Sequence, residues 1–319
     1  MFVENNCNLI IIFLITIVCC SIVYRKSKIS YISQLWRNFI HLKNSKKCII
    51  ILREINGRLG NNLFQFAVAY GLSLNRSCQL YISSHFIARL SASFDINLRN
   101  LAPESRLSFY SNSTEIINTH CTFYPHLLNP NNNYSLELSG FWQVCRYFID
   151  YQKQIKQQIR FKELTLDHVN KFLNKSINRH NSTLVGIHIR RGDFLLIHRP
   201  VSSDKYIFNA MSYFQLKYHL VTFLIVSDDK LYCQKLFNHT NNVLITPKSF
   251  AAIEDLAILT MCDHLILTVG TFGWWAGFLL NNKSGEIIID SKPDPSPLDV
   301  NCRQEDYFPP WFSFLNKTN

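Results

Sequence analysis

Charge is scarce in this sequence of 319 residues: 17% of the side chains are Asp, Glu, Lys or Arg, and acid is the scarcer sign, 22 against 33 basic. With 47% hydrophobic residues and mean hydropathy near zero, the chain has enough apolar material for two modest cores or one large one. The shortage of acid leaves a surface that attracts an anion, whether nucleic acid, lipid headgroups or nucleotide phosphates. No dense Lys/Arg run with interleaved aromatics occurs, and the positive charge is spread along the chain, which argues against a nucleic-acid partner. No CxxC or CxxH spacing is present to hold zinc, and no internal repeat is visible.

Long apolar runs are also few. The one that stands out is Leu9 to Tyr24, uncharged and Ile-rich, interrupted by Thr16, Cys19, Cys20 and Ser21. As a helix it spans about 24 Å, short of the roughly 30 Å of an average bilayer core but tolerable in a thin early-secretory membrane. The alternative is a cleaved signal peptide, but no basic n-region precedes the run, so an uncleaved anchor is expected. The flanking charges oppose a lumenal catalytic part, since Arg25, Lys26 and Lys28 follow the segment and Glu4 precedes it. Asn-x-Ser/Thr acceptor patterns argue for the lumen, at Asn75, Asn112, Asn133, Asn174, Asn181, Asn238, Asn282 and Asn316. A composition this rich in Asn, Ser and Thr gives about half as many by chance. Three cysteines (Cys7, Cys19, Cys20) lie in or near the anchor and seven beyond it, an odd number that leaves at least one thiol unpaired.

The expected organisation is a short tail at 1–8, a transmembrane anchor at 9–24, a basic, polar stem at 25–47, and α/β domains at 48–180 and 181–319. From Cys48 a strand-like run CIIILREI leads through the turn NGRLGNN into a helix over 63–74. Residues 91–133, rich in Asn, Ser and Pro, read as loops, and 147–172 as a helix with polar faces. From Thr183 the alternation is clean: strands TLVGIHI, HLVTFLIVS, VLIT, HLILTV and EIIID, with helices near 206–216, from 230, at 253–261 and at 272–280. Such alternation predicts a parallel, doubly wound sheet with ligands at the carboxyl ends of its strands.

The densest chemistry is VGIHIRRGDF at 185–194, where a strand ends and delivers His188, Arg190, Arg191 and Asp193 within six positions. Paired guanidinium forks match phosphate oxygens, so a pyrophosphate is the expected guest; a solvated loop with Asp193 pairing its own neighbours is the plainer reading. NGRLGNN at 56–62 matches neither GxGxxG nor GxxxxGK[ST]; it reads as a tight turn capping a helix through Asn61, or as a phosphate-cradling loop. TVGTFGWWAGFL at 268–279 puts Thr271, Phe272 and Gly273 at a helix N-terminus, where N–H groups face an anion, while its tryptophans serve packing. Ser227-Asp228-Asp229 reads as a helix cap at Ser227 or Asp228 before a metal site. Glu254 and Asp255 fall in a first helical turn, where one can reach a ribose or a guanine.

Taken in order, GRLGNNLFQFA at 57–67, SGFWQVCRYF at 139–148, VGIHIRRGDF at 185–194 and DLAILTMCDHLILTVGTFGWWAGFL at 255–279 resemble the α-1,2-fucosyltransferase family. The resemblance implies two Rossmann-like domains with parallel sheets, GT-B-like, behind one transmembrane helix. It implies inverting transfer of L-fucose from GDP-fucose to the 2-hydroxyl of a galactoside, without an obligatory metal or other cofactor. It further implies a single-pass type II protein of the Golgi membrane whose catalytic domain is lumenal, with GDP-fucose and a galactoside-terminated glycan as partners. Carried over by position, Arg190 and Arg191 are donor-phosphate ligands, Arg191 foremost, completed by Thr271, Phe272 and Gly273, with Asp255 at the nucleotide. Asp193, His188 and Arg191 are the catalytic candidates, and Gly57, Asn61, Asn62 and Gln65 line a substrate cleft. Asn62 and Trp142 depart from the pattern of relatives on the acceptor side. The rivals are an α-1,6 or protein O-fucosyltransferase, a non-catalytic glycan- or GDP-binding descendant, and a soluble nucleotide-binding protein with a signal peptide.

Overall fold

The computed structural model describes residues 48–96, 101–110, 114–177, 182–290 and 302–315. The anchor, the stem and the sequons Asn112, Asn181 and Asn316 lie outside the described residues. Among the described residues no helix is long and apolar enough to cross a membrane.

Two parallel sheets organise the chain. The first is built from β1 (Ile49–Leu52), α1 (Leu59–Asn75), β2 (Gln79–Ile82), α2 (Ser84–Ser91), β3 (Phe94–Asp95), β4 (Thr114–Thr119) and β5 (Ser135–Gly140), with strand order β2-β1-β5-β4. β3 stands apart and pairs antiparallel with β6 (Arg160–Phe161), which separates α3 (Gln152–Gln158) from α4 (Glu163–Ser176). The single helix expected over 147–172 is therefore broken in two. The loop expected over 91–133 contains β4, whose side chains are mostly solvated at the sheet edge and so give little apolar periodicity.

The second sheet holds β7 (Thr183–Ile189), α5 (Gly192–Leu196), α6 (Asp204–Lys217), β8 (Val221–Ser227), α7 (Lys230–Leu236), β9 (Val243–Ile245), α8 (Ala252–Thr260), β10 (His264–Leu267), α9 (Thr271–Leu279), β11 (Ile287–Ile289), α10 (Gln304–Tyr307) and β12 (Phe312–Phe314). Its order is β12-β11-β10-β7-β8-β9, all parallel. Counted from β7 as first, that is the strand order of a Rossmann sheet, with its topological switch point between β7 and β10. These central strands are buried on both faces, which is why they read as continuous apolar runs.

One core joins the two sheets. Phe64 of α1 lies 4.4 Å from Trp274 and 5.4 Å from Trp275 of α9, and Phe148 stacks on Trp275 at 6.0 Å. Both tryptophans are buried, and Trp274 donates its indole N–H to the Tyr307 carbonyl at 2.9 Å. Gly60 in the first turn of α1 meets Thr271 and Phe272 so closely that a Cβ there would sit 2.5 Å from Thr271 Oγ1. The two helix N-termini are thus pressed together, one from each sheet. Disulfides join Cys48 to Cys78 and Cys121 to Cys302, and Cys145 and Cys233 are buried thiols.

Candidate active site

A cleft of about 870 Å³ runs along the carboxyl ends of both sheets. From the second sheet it is lined by His188, Arg190, Asp193 and Phe194 at and after the end of β7, by Val226 to Leu231 at and after the end of β8, and by Gly270, Thr271 and Phe272 after β10. From the first it is lined by Gly57 to Asn61 after β1 and by Phe141 and Gln143 after β5, and Tyr307 closes one side. The strands end here because the chain turns: Gly57 and Gly270 adopt φ of +73° and +99°, a region in which other side chains are strained.

Of the expected residues, Gly57, Asn61, His188, Arg190, Asp193, Asp255, Thr271 and Phe272 converge on this cleft. Four others stand behind it. Arg191 lays its guanidinium 3.5 Å from the centre of the Tyr232 ring and its Nε 3.6 Å from Asp229. Gly273 packs under His188, where a Cβ would meet Nδ1 at 2.5 Å. Asn62 and Gln65 are fully buried: Asn62 Nδ2 donates to the Asn56 carbonyl at 3.0 Å, and Gln65 Nε2 donates to the Gly140 carbonyl at 2.7 Å. They hold the turn after β1 against the end of β5.

Arg190 is the cation built into the cleft wall. Its backbone N–H donates to Thr268 Oγ1 at 2.8 Å, and its guanidinium is gripped by Asp193 and Asp228. Asp193 reaches Arg58 as well, at 3.4 Å. Asp228 Oδ1 also accepts the Arg191 N–H at 2.9 Å, so the helix cap expected at Ser227 or Asp228 falls to Asp229, which accepts from Tyr232 N–H at 3.0 Å. Likewise Asn61 is not a cap. α1 begins at Leu59 with Arg58 at the N-cap, and Asn61 Oδ1 instead accepts from Gln143 Nε2 at 3.1 Å and from Thr271 Oγ1 at 3.0 Å, tying both sheets together.

His188 is buried against Phe272 and beside Arg190, and desolvation with the neighbouring cation holds its imidazole down to about 3. At neutral pH it is an uncharged ring and a poor proton acceptor. At the far end Asp255 is buried 3.1 Å from Lys230, and burial raises its carboxyl above the usual range. Arg199, Lys230 and Lys248 are lining cations that the sequence motifs did not mark, because they come from separate loops and helix starts; Arg58, inside the NGRLGNN turn, joins them. With the N-termini of α1 and α9 opening onto the same space, the cleft is suited to a diphosphate. Among the described residues no three His, Cys, Asp or Glu side chains gather to hold a metal ion.

A family model described as glycosyl transferase family 11 matches residues 17–314. The chain belongs to that family. The match bears out the resemblance read from the sequence, and the chain is a glycosyltransferase. It is 28% identical over 271 residues to galactoside alpha-(1,2)-fucosyltransferase 1 of Bos taurus, covering 80% of this chain and 73% of that one. The Sus scrofa protein of the same name is 27% identical over 272 residues, with 80% and 72% covered. Among solved structures, a mutant of Arabidopsis thaliana FUT1 in complex with GDP matches with a TM-score of 0.50 at 12% identity, over 74% of this chain and 68% of that one. The shared feature is the fold, an α/β arrangement of parallel sheets.

Proposed function

We propose that this glycosyltransferase moves L-fucose from GDP-fucose to the 2-hydroxyl of a β-galactoside with inversion. The observation that carries the reading is the convergence, at the switch point between β7 and β10, of Arg190 with the N-terminus of α9. There the guanidinium and the Thr271–Phe272 amides meet the diphosphate, and Asp255 with Lys230 meets the nucleoside. Charge grows on the departing GDP as the fucosyl carbon becomes oxocarbenium-like, and donors fixed in advance stabilise it. Arg191 braces this wall through Tyr232 and Asp229. Asp193 orients Arg190 and takes the acceptor proton. Asp228 and Asp229 are already engaged by arginines and by a helix cap, which favours stabilisation of the leaving group by these cations without an added divalent ion.

The names of the mammalian relatives favour the galactoside acceptor over the α-1,6 and protein O-linked alternatives. The two disulfides favour an oxidising compartment, in keeping with a Golgi-membrane protein whose catalytic part is lumenal. The test is steady-state transfer by variants of the full-length protein. Arg190→Ala is expected to abolish transfer and weaken GDP binding, and Asp193→Asn to lose roughly 10²- to 10⁴-fold in kcat while still binding GDP. Near-normal turnover in Asp193→Asn would remove its role as base.

A further inference from the structure

The first sheet has a crevice of its own. In the order β2-β1-β5-β4 the chain leaves β1 toward one edge while β5 and β4 fill the other, so the switch point lies between β1 and β5. Gly57 to Asn61, in the turn and helix start that follow β1, and Phe141 and Gln143, just beyond β5, line the cleft. The turn after β5 is rigidly built. Phe141 and Trp142 N–H groups both donate to the Thr119 carbonyl, at 2.9 and 3.2 Å, and Gln143 N–H donates to the His120 carbonyl at 2.7 Å. Trp142, at φ +52°, is driven completely into the core, and this turns its two neighbours outward into the cleft.

We propose that Phe141 and Gln143 form the platform that recognises the acceptor's terminal galactose, an inference that rests on the fucosyltransferase reading above. The Phe141 ring is propped by His120, with centroids 5.0 Å apart, and presents a flat apolar surface. Galactose suits such a surface because its axial 4-hydroxyl leaves the C3, C4 and C5 hydrogens together on the opposite face. Gln143 Nε2 is committed to Asn61, which leaves Oε1 to accept from a sugar hydroxyl. The same Asn61 oxygen accepts from Thr271 at the N-terminus of α9. A sugar held by Gln143 is therefore linked through two side-chain amides, Gln143 and Asn61, to the N-terminus of α9. Neither platform side chain is charged, so the sugar it fits is neutral.

The experiment compares full-length wild type with Phe141→Ala, Phe141→Leu and Phe141→Tyr, measuring KM for methyl β-galactoside, KM for GDP-fucose, and hydrolysis of GDP-fucose without acceptor. The expected result is an acceptor KM raised about tenfold in Phe141→Ala and Phe141→Leu, with Phe141→Tyr close to wild type. Donor KM and acceptor-free hydrolysis stay unchanged, and the preference for methyl β-galactoside over methyl β-glucoside shrinks. Phe141→Leu keeps a bulky apolar side chain and separates loss of the ring from loss of folding. Wild type that fucosylates galactosides, with variants whose acceptor KM is unchanged or rises together with donor KM, overturns the platform alone. Wild type that binds GDP-fucose and modifies no galactoside overturns both readings.

Discussion

Arg190 and Arg191 are neighbours in sequence and make different contacts. The chain emerges from β7 so that Arg190 joins the cleft wall between Asp193 and Asp228, while Arg191 turns onto the Tyr232 ring. Both lie just past Ile189, the last strand residue, and their directions are set by contacts with Asp228, Asp229 and Tyr232, all distant in sequence. The cluster of four ionisable groups at a strand end was legible in the sequence, and which of its arginines faces the cleft was not. His188, beside them, has a pH consequence. Its folded-state value of about 3 lies below the roughly 6.5 of an unfolded histidine, so between those values the unfolded chain binds the extra proton. Stability from this group is present above pH 6.5 and is lost as pH falls toward 3, at up to roughly 1.4 kcal/mol per pH unit. His188→Gln should flatten the acid limb of a plot of Tm against pH; an unaltered slope would contradict a buried neutral imidazole.

At the scale of elements, the abutment of α1 on α9 sets the geometry of the cleft between the two helix N-termini. A methyl at Gly60 would lie 2.8 Å from the Thr271 carbonyl carbon and 2.9 Å from Phe272 N, and backbone cannot swing aside as a long side chain does. Gly60→Ala should therefore cost roughly 1–3 kcal/mol of stability and raise the KM for GDP-fucose by forcing the N-termini apart. A variant with wild-type melting and donor KM would refute the contact. The strands of the second sheet were readable because burial on both faces leaves only apolar residues in them. β4 was not, because Glu115 and Ile116 are both exposed at the sheet edge and no alternation survives. β6 broke an expected helix for a similar reason: two residues, Arg160 and Phe161, pair with β3 across a long stretch of chain, and no local pattern announces that.

In the whole molecule, the last described segment belongs to both sheets. β12 pairs with β11 in the second, while Cys302 is bonded to Cys121, just past β4 in the first, and Asp306 pairs with Arg146 at 2.9 Å. The odd cysteine count foretold a leftover thiol but could not name pairs separated by 181 residues. Closing so long a loop restricts the unfolded chain more than the 30-residue closure of Cys48–Cys78, by roughly 1.5 kcal/mol. Replacing Cys121 and Cys302 together by Ser should accordingly lower the free energy of unfolding by more than replacing Cys48 and Cys78; the reverse order would contradict a staple between the sheets. The same segment places Tyr307 on the cleft, so the covalent tie and the site are parts of one arrangement. That arrangement is tested most directly by incubating the full-length protein with labelled GDP-fucose and β-galactosides, with and without EDTA, and determining the linkage formed. The account predicts fucose α-linked to galactose O2, formed equally well with EDTA and absent in Arg190→Ala. Fucose on another hydroxyl, or no transfer by wild type that binds GDP-fucose, would contradict it.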